Sequence, residues 1–172
     1  MNARVVIQTE DFNVSQVLDQ LRAGDLRVGA ICSFVGTVRD TRMLSGNAAD
    51  QIVSMALEHY PGMTETAIEA MIDEAHQRFD FYQAHVIHRV GELKPADQIV
   101  LVAVSSAHRA ESFKACEFLM DYLKTQAPFW KKEATPEGAK WVDARVTDDA
   151  ALARWGIQLR NVGSVLTAAQ CR

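Results

Sequence analysis

The sequence predicts one α+β domain with a mixed, largely antiparallel sheet and packed helices. Three observations favour this class: helical and strand periodicities both occur, a short turn joins neighbouring strand segments, and no linker or repeat divides the chain. With 172 residues, the chain is long enough for one domain with a hydrophobic core. We expect residues 1–155 to form this domain and residues 156–172 to be a tail, either a short helix or disordered.

The chain is predicted to open with a strand and a helix. Val5–Gln8 has strand composition, and Asn13 can cap a helix that ends at Gly24. The apolar residues of this helix keep helical spacing: Val14, Val17, Leu18 and Leu21.

A mostly buried strand is predicted over Val28–Val38, because this segment is rich in β-branched and apolar residues. It would bring Arg39 to the exit of the strand. The polar residues 40–51 show no periodicity and are predicted to form a mobile loop before a strand over 52–60.

Pro61-Gly62 is predicted to open a helix with one apolar stripe, formed by Met63, Ala67, Ile68, Met71, Ile72, Ala75 and Phe79. Strands are predicted over 84–93 and 98–106, and the turn 94-KPAD-97 makes them an antiparallel hairpin.

The last long helix is predicted from Arg109 to Gln126, and it must end before Pro128 because proline disfavours helix in the preceding residue. Its predicted inner stripe consists of Phe113, Cys116, Met120 and Leu123. A short strand near 140–146 is predicted to complete the sheet.

Composition excludes several classes of function. A net charge of −4 gives no general attraction to nucleic acid or to an anionic membrane, so any anion site must be a local cluster. Three cysteines without a CxxC pair indicate neither a disulfide framework nor a zinc site, and they fit a reducing cytoplasm. No segment approaches the ~20 apolar residues that span a bilayer, and we expect no membrane association.

Two lysines flank Pro128 in the segment 122-YLKTQAPFWKKE-133. Because the chain must turn at the proline, Lys124 at a helix end and Lys131 on an extended segment can converge on one pocket. The alternative is that Lys124 only complements the negative end of its helix, while Lys131 and Lys132 are solvated. Local sequence alone favours the alternative, since surface lysines are common.

A second cationic cluster follows a predicted strand in 105-SSAHRAES-112. His108 and Arg109 stand at the positive end of a helix, which makes sense if an anion such as phosphate lies between them. Arg39 can be a further cationic ligand of the same anion. The alternative is that His108 is a neutral cap and that Arg109 pairs with a carboxylate such as Glu111 or Glu58.

Six segments, in the same order, resemble the motifs of one family, the large, catalytic subunits of molybdopterin synthase (MoaE family). They are FVGTVRD (34–40), LEHYPGMTE (57–65), HRVGELKPAD (88–97), SSAHR (105–109), MDYLKTQAPFWKKE (120–133) and WVDAR (141–145). The resemblance covers most of the chain to Trp155. It implies an α/β hammerhead-like fold and a sulfurtransferase activity.

The resemblance also implies partners and roles. Sulfur would come from the thiocarboxylated C-terminal Gly-Gly tail of a small ubiquitin-like subunit and pass to cyclic pyranopterin monophosphate, twice, forming the molybdopterin dithiolene. Lys124 and Lys131 match the family's catalytic residues, whereas Arg39, His108, Arg109 and Arg145 match residues that bind the substrate. No cofactor or metal is expected, and the assembly would be a homodimer of large subunits within a heterotetramer.

The chemistry of lysine suits this role under one condition. Its ordinary pKa of ~10.4 must be lowered by burial or by neighbouring positive charge if the amine is to exchange protons near neutrality. A competing hypothesis is a non-catalytic module that binds an acidic C-terminal tail or a phosphorylated ligand. RNA binding is disfavoured, because the chain is acidic and lacks a stripe of stacking aromatic residues.

Overall fold

The computed structural model describes residues 4–40, 53–136, 138–142 and 154–156. In chain order, the elements are β1 (Val5–Gln8), α1 (Val14–Arg22), β2 (Ala30–Thr37), β3 (Ser54–His59), α2 (Met63–Arg78), β4 (Gln83–Arg89), β5 (Gly91–Leu93), β6 (Gln98–Ser106), α3 (Arg109–Gln126), β7 (Phe129–Thr135) and β8 (Gly138–Val142). The α+β prediction is confirmed. None of the helices in these ranges is long and apolar enough to cross a membrane.

The first sheet has the strand order β1-β4-β6-β2. β1 runs parallel to β4, and the other two pairs are antiparallel. Alternate residues of the central strand β6 face opposite sides, so Val100, Val102 and Val104 pack against α2 and α3, whereas Leu101 and Ala103 pack against α1. Every residue of β6 from Val100 to Ser106 is buried. This sheet therefore forms the centre of the core.

The helix ends follow the predicted signals. The Asn13 side chain accepts a hydrogen bond from the Gln16 amide at 3.0 Å and caps α1. At the start of α2, the Gly62 amide donates to the Glu65 carboxylate at 2.7 Å. After α3, Ala127 is extended, as the residue before a proline is expected to be.

The second sheet was not expected as a separate sheet. Its order is β5-β3-β7-β8, and all pairs are antiparallel. The strand predicted over 84–93 is divided at Val90, because Gly91 has a φ of +83° and turns β5 away to pair with β3. Residues 129–135, predicted only as an extended segment, form β7. The strand predicted near 140–146 is β8, described over Gly138–Val142.

Two details of the predicted core are wrong. The Val28–Val38 strand was expected to be mostly buried, but β2 lies at an edge of the first sheet and leaves Phe34 and Val35 exposed. Phe113 is 59% exposed, although it was placed on the inner stripe of α3. The cause is helix phase: the buried residues Ser112, Ala115, Cys116, Leu119 and Leu123 define a face that Phe113 flanks. The loop after Asp40 and the tail after Gly156 lie outside the described residues.

Candidate active site

Both candidate lysines flank a sharp change of chain direction between α3 and β7. Lys124 lies in the last turn of α3 and is exposed. Three residues after it the helix has ended at Ala127, Pro128 follows, and β7 begins with Phe129. The proline therefore does what the sequence predicted: it places the lysines on two different elements rather than on one helix face.

Three contacts fix the connection between these elements, here called the hinge (residues 127–130). The hydroxyl of Thr64 accepts a hydrogen bond from the Tyr60 amide at 3.1 Å and donates to the Pro128 carbonyl at 3.3 Å. The ring of His88 stacks on Phe129 with centroids 3.8 Å apart. Tyr60 meets Trp130 edge to face, with centroids 5.2 Å apart. The hinge is therefore held by side chains of α2 and β4 and by Tyr60, which directly follows β3.

His88 supports the hinge as a neutral residue. It is 8% exposed, and burial lowers the pKa of its imidazole to about 4, helped by the nearby His59. Its Nδ1 lies 2.8 Å from the carbonyl of Arg89, where it is the donor when the ring is neutral. This geometry makes His88 a satisfied core residue.

Lys131 points to the same face of β7 as Glu133, since residues two apart in a strand share a face. Its ammonium nitrogen lies 2.8 Å from Glu133 Oε1, and the two side chains are 31% and 16% exposed. In register, Lys131 lies opposite Leu57, and Glu133 lies opposite Met55. This ion pair therefore lies beside buried apolar residues and is less hydrated than a surface pair.

Glu133 was missed by the sequence analysis. The i, i+2 spacing of Lys131 and Glu133 in WKKE indicates their pairing. It does so only if residues 129–135 form a strand, because residues two apart share a face in a strand. Lys132 lies on the opposite face, with its nitrogen 5.5 Å from the centre of the Trp141 ring. The alternative that both Lys131 and Lys132 are merely solvated is therefore wrong for Lys131, which is partly buried and paired.

Arg39 leaves the first sheet close to this face of the second sheet. The preceding residue, Val38, is 3% exposed and packs in one cluster with Met55, Leu57 and Leu93. Its amide and carbonyl are hydrogen-bonded to the turn that precedes β6. The Arg39 side chain is exposed. The backbone thus brings Arg39 to the side of the molecule where the Lys131–Glu133 pair lies.

His108 and Arg109 lie at the other end of the first sheet. β2 is antiparallel to β6, so Thr37 is opposite Gln98, whereas Ala30 is opposite Ser106. An eight-residue strand separates these ends by about 23 Å. Lys124 follows Arg109 by 15 positions, which corresponds to about 22 Å along α3.

One chain therefore does not bring all predicted site residues together. Because α3 follows β6 directly and packs back along it, the last turn of α3 returns to the end of the sheet where Arg39 lies. Arg39 and Lys124 share that end, and His108 and Arg109 lie at the opposite one. Arg39 and Arg109 were expected to bind the same anion, but within a single chain they lie at opposite ends of the first sheet.

The N-terminus of α3 remains open to a ligand. His108 occupies the N-cap position, but its side chain makes no capping hydrogen bond. Arg109 is exposed, and in the ranges described above no carboxylate forms an ion pair with it. Glu111, one suggested partner, pairs instead with Lys114 at 3.3 Å. Among the described residues, the alternative interpretation is therefore not supported, because neither a capping bond from His108 nor an ion pair of Arg109 occurs.

Two further predictions have different outcomes. Arg145 lies outside the described residues, so its role stays a prediction. Among the residues that the structure describes, no group of three or more histidine, cysteine, aspartate or glutamate side chains is arranged to hold a metal ion.

Comparisons with known proteins place this geometry in context. A family model described as MoaE protein matches residues 7–126. The molybdopterin synthase catalytic subunit of Ralstonia nicotianae is 56% identical over 163 residues, which are 95% of this chain and 90% of that protein.

Solved structures agree. The molybdopterin biosynthesis MoaE protein from Burkholderia ambifaria MC40-6 has 52% identity and a TM-score of 0.76, covering 91% of this chain and 100% of that one. A chain from Helicobacter pylori 26695, described as a protein–protein complex of subunits 1 and 2 of molybdopterin-converting factor, has a TM-score of 0.67. It covers 83% of this chain and 92% of its own, but at 20% identity it shows a likeness of fold alone.

Proposed function

This chain belongs to the MoaE family of molybdopterin synthase catalytic subunits, which are sulfur-transferring enzymes, and from that premise we propose how its residues act. Sulfur passes from the thiocarboxylated C-terminus of a small ubiquitin-like subunit to cyclic pyranopterin monophosphate and builds the dithiolene. The observation that carries the proposal is the hinge, which sets Lys124 and Lys131 on either side of a fixed turn, at the end of the molecule that Arg39 also reaches.

Each sulfur transfer balances as an exchange. The thiocarboxylate sulfur attacks the substrate carbon, the carbon–oxygen bond breaks, and the oxygen leaves as water. A water molecule then hydrolyses the acyl–sulfur bond, which leaves a carboxylate on the tail and the sulfur on the substrate. A lysine ammonium group can donate a proton to that leaving oxygen, and the resulting amine can take a proton from the water that hydrolyses the acyl–sulfur bond. Lys124 and Lys131 are proposed for these proton transfers, and two lysines allow donor and acceptor to be separate groups.

Glu133 suits Lys131 as the proton donor of this scheme, because a nearby carboxylate favours the ammonium form that donates rather than the amine that accepts. Its carboxylate holds the Lys131 ammonium group at 2.8 Å, which fixes the position of the proton donor. The substrate phosphate requires a separate cationic site, because the ammonium group of Lys131 is already paired. Arg39 is exposed at this end of the sheet and is proposed as one phosphate ligand.

We further propose that His108 and Arg109 act across a subunit boundary. They lie about 22 Å along α3 from Lys124, too far to touch the same small substrate in one chain. A two-fold homodimer can place the α3 N-terminus of a second copy beside the Lys124 end of the first, and each site is then completed by both copies. Arg145 is proposed as an additional ligand of the same phosphate.

The proposed small partner would dock with its extended Gly-Gly tail directed toward the lysines. Two glycines have no side chains, so such a tail can enter a narrow channel and approach the backbone closely. A two-subunit complex is described for the Helicobacter pylori neighbour, and a heterotetramer is proposed here by analogy. We place the reaction in the cytoplasm, which fits the absence of paired cysteine motifs.

The experiment that tests the activity is a product assay with purified components. The chain is incubated with thiocarboxylated small subunit and cyclic pyranopterin monophosphate, and the pterin is analysed by mass spectrometry. The proposal expects a product that has gained two sulfur atoms, together with a partner tail that ends in a carboxylate. Substrate that is bound but chemically unchanged would contradict it and support a binding module.

A further inference from the structure

Two cysteines that the proposed chemistry does not use lie against each other between β2 and α3. Cys116 is buried in the middle of α3, and Cys32 is half-buried in the middle of β2. The Cys116 thiol donates a hydrogen bond to the Val102 carbonyl at 3.8 Å, and Cys32 packs against the same cluster of buried residues to which Cys116 belongs. Cys32 is opposite Val104 in the sheet, so both thiols lie on the face of the sheet covered by α3.

The two thiols differ in accessibility. Burial raises the pKa of the Cys116 thiol far above its ordinary range, and the neighbouring Cys32 adds to this effect. Cys116 is therefore a poor first nucleophile. Cys32 lies on an edge strand and is only partly buried, so it is the thiol of the pair that a small solute reaches first.

We propose that Cys32 and Cys116 form a peroxide-oxidisable pair in which Cys32 reacts first and Cys116 resolves the product as a disulfide. In the first step, the Cys32 sulfur attacks a peroxide oxygen, the O–O bond breaks, and Cys32 sulfenic acid and water form when the peroxide is hydrogen peroxide. In the second step, the Cys116 sulfur attacks the sulfenic sulfur, a second water leaves, and the S–S bond forms. The peroxide is reduced, and the two thiols lose two hydrogens.

The pair has a protective consequence for the fold. A sulfenic acid without a neighbouring thiol is oxidised further to sulfinic acid, which is not ordinarily reversible. A charged sulfinate at Cys32 would be forced into the interface between β2 and α3, the two elements that lead to Arg39 and Lys124. The disulfide instead remains uncharged and is restored to thiols by a reductant. This inference is independent of the proposed function.

The test uses the full chain with Cys171→Ser, so that only the two thiols of interest remain. After treatment with excess hydrogen peroxide, free thiols are alkylated and the digested protein is analysed by mass spectrometry. We expect a Cys32–Cys116 cross-linked peptide that has lost two hydrogens and that dithiothreitol removes. Folding of each variant is checked by circular dichroism.

Two variants make the inference falsifiable. In Cys116→Ala, Cys32 should progress to sulfinic acid under the same treatment, whereas in Cys32→Ser the buried Cys116 should stay reduced. Free thiols at both positions after peroxide treatment of the folded chain would overturn the proposal. So would sulfinic acid at Cys32 while Cys116 is still present and reduced.

Discussion

The two sheets of this domain differ in how deeply their residues are buried. In the first sheet, seven consecutive residues of β6, from Val100 to Ser106, are buried, and helices cover both faces. In the second sheet, no residue of β7 is fully buried. Trp130 of β7 is 43% exposed, and Trp141 of β8 is 54% exposed. Stability is therefore concentrated in the first sheet, whereas the second sheet carries the charged and aromatic side chains that can contact a ligand.

The helix α3 and the hinge connect these two regions. One face of α3 is part of the main core, and its last turn carries Lys124 to the start of β7. Substitutions in the first sheet should therefore reduce the free energy of unfolding, and substitutions on β7 should mainly alter activity. The following predictions test this division, beginning with the largest expected effect on stability.

Leu101→Ala should destabilise the protein by about 2–5 kcal/mol, because it removes a fully buried side chain and leaves a cavity between β6 and α1. Trp141→Ala, in the second sheet, is the matched comparison and should cost less than about 1 kcal/mol, since half of that side chain is already exposed. Denaturant unfolding measures both. Equal losses in the two variants would contradict the division between the sheets.

His88 should make stability depend on pH. Unfolded histidine binds its proton near pH 6.5, whereas the buried ring binds it only at about pH 4, so the unfolded state holds more protons between these values. The contribution of neutral His88 to the free energy of unfolding is therefore present in full above pH 6.5. As the pH falls toward 4, the free energy of unfolding decreases by about 3 kcal/mol at most.

The matched variant is His88→Phe, which keeps an aromatic ring to stack on Phe129 but cannot titrate. The difference in unfolding free energy between wild type and variant should shift in favour of the variant as the pH falls from 6.5 to 4. Parallel pH profiles would show that His88 is not buried as a neutral ring. Groups that do not interact with His88 contribute equally in both proteins and cancel in this difference.

Thr64→Val should destabilise by about 1–2 kcal/mol, because the isosteric side chain leaves the Tyr60 amide and the Pro128 carbonyl without the hydroxyl that joins them. Sulfur transfer should slow at the same time, since this hydroxyl anchors the hinge between the lysines. Thr64→Ser keeps the hydroxyl and should recover activity and most of the stability. If Thr64→Val transferred sulfur at the wild-type rate, the hinge would not need this anchor.

Much of the fold follows from local signals in the sequence. Asn13, Gly62 and Pro128 act through capping, positive φ and the restriction before proline, all of which depend only on near neighbours. The division of the first hairpin strand at Val90 and the separate second sheet could not be predicted. They depend on which strand β5 pairs with, and a three-residue strand has too little pattern to specify a partner.

The site was predicted less completely than the fold. Lys124 and Lys131 were predicted from the family motifs, and the proline between them correctly indicated a turn. Glu133 was missed because its pairing with Lys131 requires the strand β7. The grouping of Arg39 with Arg109 is not met within one chain for a topological reason: the antiparallel order of β2, β6 and α3 sends them to opposite ends, which composition and spacing do not reveal.

The central claim is that Lys124 and Lys131 perform proton transfers during sulfur transfer. It is tested most directly by the single-turnover rate of dithiolene formation in Lys124→Ala and Lys131→Ala, with binding of cyclic pyranopterin monophosphate measured separately. Lys114→Ala on α3 and Lys132→Ala on the opposite face of β7 are the matched controls. We predict a loss of about 100-fold or more in the first two variants, with substrate still bound, and wild-type rates in the controls. A wild-type rate in either Lys124→Ala or Lys131→Ala would contradict the account.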